Sequence, residues 1–215
     1  MIPNKQKQKR KIKEFYFLLE EARRLGALEA KIISPDKVVI EDRVLLKCRT
    51  GCDSYGKKFV CPPFTPTPPE FRKMLKEYRK ILIAKFPTEA EAEEDVGRSL
   101  QRNQCSPETP PDLRERANKF WEVWSGDKRR ILLSMLELEK AAFNRGYTLA
   151  LSLTAGSCTL CAKCNMEATC THPTMARYPE HALGVNVKKT LNNAGMSIKF
   201  PFAKHPEGIG MLLID

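Results

Sequence analysis

The sequence predicts a mixed α+β fold, a central sheet with helices packed against it and cysteine-rich loops suited to metal. Three observations lead there. Long stretches place apolar residues at helical spacing among charges, and short apolar runs bounded by turn residues alternate with them. Seven of the eight cysteines fall into two tight groups, one of which directly follows a predicted strand. At 42% hydrophobic and 29% charged over 215 residues, the chain has the composition of a single domain (1–215) with a buried core.

The first element is a surface helix in "KRKIKEFYFLLEEARRLGA". There Ile12, Phe15, Leu18, Leu19 and Ala22 approach a 3.6-residue period, and Gly26 stands where a C-cap belongs. "LEAKIISP" and "KVVIED" then predict a hairpin-like pair of short strands around Pro35 and Asp36. Past the first cysteine group, "CPPFTPTPP" carries five prolines in nine residues, which forces an extended loop. "EFRKMLKEYRK" follows as a helix and "ILIAKF" as a buried strand, a β-α-β sequence of elements. Residues 89–111, acidic at the start and rich in Ser, Pro and Asn at the end, predict a frayed helix and loop insertion. From Asp112 to Gly146 the pattern is helical, with Leu133, Leu136, Leu138 and Phe143 apolar among charges. "YTLALSLTAG" is read as a strand, "VNVKKTLNNAG" as a helix, "MSIKF" as a strand, and the chain closes on the apolar "GIGMLLID". There is no internal repeat.

No run approaches the ~18 apolar residues of a membrane-spanning helix. The basic N-terminus has no apolar core or cleavage site of a secretory signal. The expected location is the cytoplasm, without a membrane partner. A reducing compartment leaves thiols free unless they hold a metal or do redox chemistry, so structural disulfides are the minor reading of these cysteines.

Cys158, Cys161 and Cys164 are each two residues apart, and Cys170 follows after five more. Thiolates at such intervals point inward at one centre, which suits zinc or an iron-sulfur cluster. Structural zinc usually pairs two short hooks, whereas C-x2-C-x2-C is the bacterial ferredoxin signature for three corners of a [4Fe-4S] cube. The fourth cysteine departs from that pattern, since ferredoxins place it three residues on and before a proline. Either Cys170 closes the same cube, or it crosses to the cluster of Cys48, Cys52 and Cys61. That first group is C-x3-C-x8-C, a looser spacing, with "CPP" restricting the backbone just after Cys61. Unligated, these three thiols would pack as small apolar residues. Seven clustered thiols leave one of eight corners unfilled. The expected cofactor is thus one or two [4Fe-4S] clusters, with zinc as the alternative. Cys105 stands alone in a polar insertion and is expected to be unligated.

His172, beside Pro173, is read as a turn residue before a ligand; His181 and His205 have no partner spacing. Arg177 and Glu180, three apart, suit either a helix-surface ion pair or a role in orienting the cysteine loop. "TAGSC" lacks the full phosphate-cradling pattern, so no nucleotide site is read.

The segments 47–83, 136–164, 170–187 and 192–195 resemble a family of uncharacterised, predicted metal-binding proteins of anaerobic bacteria and archaea. The resemblance spans most of the chain. It implies metal binding, as iron-sulfur clusters, through both cysteine groups, without implying a reaction. The family's Arg and Glu-x-x-Gly correspond to Arg177 and to Glu180 with a changed spacing to Gly184. Asn186 replaces the family's acid in "GVNV".

The net charge of +11 raises a nucleic-acid partner. Much of it is local, since "KQKQKRKIK" at 5–13 holds six basic residues and no acid, and metal-bound thiolates would offset part of the rest. No nucleic-acid motif is present. The function expected is that of a cytoplasmic iron-sulfur protein carrying electrons, or doing cluster-based redox chemistry, with a partner protein. A zinc-binding interaction module or RNA-associated module is the alternative. Whether the protein is an enzyme is left open.

Overall fold

The computed structural model describes residues 14–99, 108–200 and 204–215. The fold is mixed α+β. Four strands, β1 (Glu29–Ile33), β2 (Lys80–Phe86), β3 (Leu151–Thr154) and β4 (Gly208–Ile214), form one sheet in the order β1-β2-β4-β3. Every pairing is antiparallel, with Ile83 opposite Met211 at the centre and Thr154 opposite Gly210 at one end.

β2 and β4 are apolar along nearly their whole length because both faces of the sheet are covered. On one face Leu82, Ala84, Phe86, Leu212 and Ile214 meet helix α1 (Tyr16–Arg24) and a 33-residue helix, α5 (Pro111–Phe143). On the other, Ile81, Ile83, Ile209, Met211 and Leu213 meet Phe71 of α3 (Pro68–Met74) and Val187 and Leu191 of α6 (Val187–Asn193). The alternation of each strand thus feeds two cores at once. Among the described residues, no helix is long and apolar enough to cross a membrane.

α5 buries the stripe Ile131, Met135, Leu138 and Ala142, the spacing of one helical face. Of the four residues read from the pattern as its apolar face, Leu138 belongs to that stripe, while Leu133 and Phe143 are exposed. Its N-terminal half runs past the sheet and gathers a third cluster, in which Ala117 and Phe120 pack on Ala90, Ala92 and Val96. Asp127, fully buried on α5, accepts the backbone N–H of Glu89 at 3.0 Å and of Ala90 at 2.9 Å, and Arg130 donates to it at 2.5 Å. A carboxylate with three donors thereby stitches the segment after β2 onto α5. The helix expected within 89–111 is present as α4 (Glu94–Ser99). Cys105 and the basic run at 5–13 lie outside the described residues.

Three local expectations are corrected. β1 and β2 pair antiparallel, so the intervening helices do not make a parallel β-α-β crossover. "KVVIED" is not a strand. Its backbone bonds go elsewhere: Val39 N–H to Thr190 Oγ1 (3.0 Å), Asn186 N–H to the Val39 carbonyl (2.8 Å) and Glu41 N–H to the Gly184 carbonyl (2.8 Å). Among the described residues no strand pairs with the outer edge of β1, while a single bridge joins Ile40 to Val185. "MSIKF" is not a strand either. Its first N–H closes α6 by bonding to the Leu191 carbonyl at 2.9 Å, and Ile198 tucks side-on against the core.

Candidate metal centre

Cys48 lies on α2 (Val44–Gly51), and Cys52 is the extended residue on which that helix ends, one turn further on. From there the chain turns tightly. Tyr55 N–H bonds to the Cys52 carbonyl (3.0 Å), Cys61 N–H to the Lys58 carbonyl (3.0 Å), and Gly56 N–H reaches forward to the Pro62 carbonyl (2.8 Å). This last bond folds the loop onto itself and returns Cys61 toward Cys52. Cys61 is buried at 5% exposure, whereas Cys52 is exposed. Burial pushes the Cys61 thiol up to about 12, helped by the charges of Cys52, Cys48 and Cys158 and opposed by Lys58. Cys48 is raised by burial first and by Cys52 second.

The second group hangs from the end of β3. Thr154 N–H bonds to the Tyr178 carbonyl at 3.1 Å and Thr154 bridges Pro179, so the excursion from 155 to 177 begins and ends side by side. Unstructured excursions of this length are uncommon in compact folds and usually carry function. Arg177 seals the return through a half-buried, two-pronged pair with Glu139 of α5, its Nε at 2.9 Å from Glu139 Oε2. The same carboxylate accepts Ser152 N–H at 2.7 Å, which ties β3, α5 and the loop to one residue. Arg177 therefore pairs with Glu139 and not with Glu180, and of its two expected roles the one in orienting the cysteine loop is what the contacts support.

Within the excursion, Cys161 Sγ lies 3.2 Å from Thr171 Oγ1 and 3.3 Å from His172 Nδ1. His172 also starts a turn, its carbonyl accepting from Met175 at 3.1 Å and Ala176 at 2.9 Å. The turn role holds, and the ring touches a thiol as well. Cys164 and Cys170 are half-buried.

The two loops meet at Cys158. Lys58, from the first loop, donates its ammonium to the Cys158 carbonyl. The Cys158 thiol is raised mainly by burial; the Leu160 N–H and Lys58 oppose the rise, and Cys164 and Cys161 add to it. From α5, Lys128 lies over the start of the second loop, its Cδ 3.1 Å from where a Cβ on Gly156 would sit. Burial and the neighbouring Lys58 lower its pKa, against the pull of Cys158, Cys61 and Cys52.

All seven described cysteines are free thiols. Among the described residues, no three His, Cys, Asp or Glu side chains stand together as a metal-binding group. The loops bring Cys48, Cys52, Cys61 and Cys158 into one region without closing them around a point. The donor chemistry nevertheless fits a thiophilic metal: soft sulfurs on turn-rich loops, flanked by cations that offset thiolate charge.

Sequence reasoning passed over two residues here. Lys58 and Lys128 have no local signature in a chain with 37 basic residues. Glu180, for which a surface ion pair or a role in orienting the cysteine loop is the expectation, is instead 1% exposed; neither carboxyl oxygen has a hydrogen-bond partner among the described residues, and burial raises its pKa to about 8. It opens the short turn Glu180–Leu183, where Thr65 Oγ1 donates to the Ala182 carbonyl at 3.1 Å and Gly184 presses on Pro68. Its apolar neighbours Ala182, Leu183 and Val185 were the available signal.

No curated protein and no solved structure matches this chain. Residues 31–214, from β1 through β4 and so including both cysteine loops, match a single family, and the chain belongs to it: the family described as "Predicted metal-binding protein (DUF2284)".

Proposed function

We propose that the protein is an iron-sulfur protein that carries electrons to and from a partner protein. The observation that carries this reading is the contact between the two cysteine loops, where Lys58 of the first donates to the Cys158 carbonyl at the start of the second. Family membership supports metal binding, and the C-x2-C-x2-C spacing favours iron-sulfur over zinc.

The residues that would hold the metal are Cys158, Cys161, Cys164 and Cys170 of the second loop and Cys48, Cys52 and Cys61 of the first. Lys58, donating to the Cys158 carbonyl, brings the two sets side by side. Once bound, a [4Fe-4S] cluster supplies a one-electron couple whose potential depends on charge and burial around it. The chain's own contribution is positional. The Gly56–Pro62 bond folds the first loop, Arg177 and Glu139 anchor the second, and buried Cys61 faces away from water while exposed Cys52 marks the side open to a partner.

Anaerobic purification with iron, zinc and sulfide analysis tests the reading. The expected result is a brown protein with sulfide matching its iron and broad visible absorption that dithionite bleaches. Stoichiometric zinc without sulfide would overturn it.

A further inference from the structure

Resting on the iron-sulfur reading above, we infer that Lys58 and Lys128 form a cationic clamp across the junction of the two cysteine loops and raise the reduction potential of the centre held there. Three observations carry this. Lys58 reaches across from the first loop to the Cys158 carbonyl. Lys128 reaches the same place from α5, its aliphatic stem lying on Gly156. Neither forms an ion pair with a carboxylate among the described residues, in contrast to buried Lys85 on β2, which pairs with Glu29 at 3.4 Å and Glu207 at 3.2 Å.

A partly buried ammonium without a carboxylate keeps its charge cheaply only where other negative charge faces it. At the junction of the two loops the cysteines would supply that charge once they bind metal as thiolates, and one further electron on the centre would add to it. Cations fixed nearby stabilise the reduced form more than the oxidised form, because the reduced form is one unit more negative. Lys128 is the cleaner of the two to test. Lys58 also tethers a loop, while Lys128 sits on a helix that is held independently by its buried stripe.

The experiment is a spectroelectrochemical titration of the anaerobically prepared, full-length protein as wild type, Lys128→Gln, Lys128→Met and Lys128→Arg, with Lys140→Gln on the exposed face of α5 as control. Iron and sulfide content is measured for each. Removing the charge is expected to lower the reduced-to-oxidised ratio at fixed potential about tenfold, a midpoint lower by ~59 mV for one electron. Arg is expected to restore most of the shift, and the control to show none. The shift should persist in high salt, since partly buried charges are screened little. An intact cluster with an unchanged midpoint in both Lys128→Gln and Lys128→Met overturns the clamp and leaves the iron-sulfur reading standing. A wild-type protein that carries zinc, lacks sulfide and shows no redox wave overturns both.

Discussion

The two central strands and the two cysteine loops are built on opposite principles. β2 and β4 are buried along their length, paired residue for residue from Lys80 opposite Ile214 to Phe86 opposite Gly208, and hold their place by apolar contact on both faces. The loops at 52–66 and 155–177 have almost no regular structure and few apolar anchors. They are placed by single polar contacts: Gly56 to Pro62, Lys58 to Cys158, Arg177 to Glu139. The difference teaches where function was put. A sheet that many independent contacts over-determine can carry loops whose side chains are chosen for chemistry and not for packing.

That contrast predicts that damage to the loops and damage to the strands will look different. The largest effect is expected for Cys158→Ser and Cys161→Ser, each abolishing the same part of the visible absorption and its iron while far-ultraviolet circular dichroism stays native. If the two variants removed different spectral components, one cluster held by Cys158, Cys161 and Cys164 would be wrong. Leu82→Ala should act in the opposite sense, destabilising the protein by about 2–5 kcal/mol whether or not metal is bound, because it opens a cavity under α5. Chemical denaturation of the metal-free and metal-loaded protein measures it.

Glu180 belongs to the packed region but carries a polar defect, and it sharpens the comparison through pH. Its pKa is about 8 in the folded protein against 4.5 for an ordinary glutamate carboxyl in water. In that window the unfolded chain has released its proton and the folded chain keeps it. Stability contributed by the neutral carboxyl is therefore full below pH 4.5 and is lost as pH rises toward 8. The fall amounts to about 3 kcal/mol by pH 7, at 1.36 kcal/mol per unit. Glu180→Gln should flatten that slope relative to the parent, whatever its effect on absolute stability; a parallel pH profile in the two proteins would place the carboxyl in contact with water. A smaller effect is expected for Arg177→Lys, which keeps the charge but loses the two-pronged geometry toward Glu139. It should cost about 1 kcal/mol and speed metal loss to a chelator without changing the midpoint. The smallest is Cys105→Ser, for which unchanged metal content is expected.

Several elements were legible because their signals are local. Leu18 and Ala22 gave α1 its buried face, Gly26 and Gly146 follow helices α1 and α5 with positive φ, and "ILIAKF" marked a buried strand, while the closing apolar run "GIGMLLI" is a strand because β2 and β3 supply it with partners. "KVVIED" and "MSIKF" misled because β propensity is satisfied only when a neighbouring strand supplies partners. Val39 found Thr190 instead, and Met196 found the end of a helix. The same limit applies at the candidate site. The spacing of Cys158, Cys161 and Cys164 announces a thiolate loop, but no spacing tells which thiol of one loop meets which thiol of the other.

By itself, the sequence determined the composition of the core, the helices apart from α2, the buried strand β2 and the chemical character of the cysteine loops. All of these follow from interactions within a few residues along the chain or from the partition of apolar side chains away from water. The tertiary structure alone decided the antiparallel order β1-β2-β4-β3, the contact of Lys58 with the Cys158 carbonyl, the seat of Lys128 on Gly156, the Arg177–Glu139 anchor and the burial of Glu180. Each of these joins residues tens of positions apart or depends on the whole of its surroundings, as Lys58 and Cys158 do across 100 positions. Their proximity depends on how the sheet and α5 close together in space.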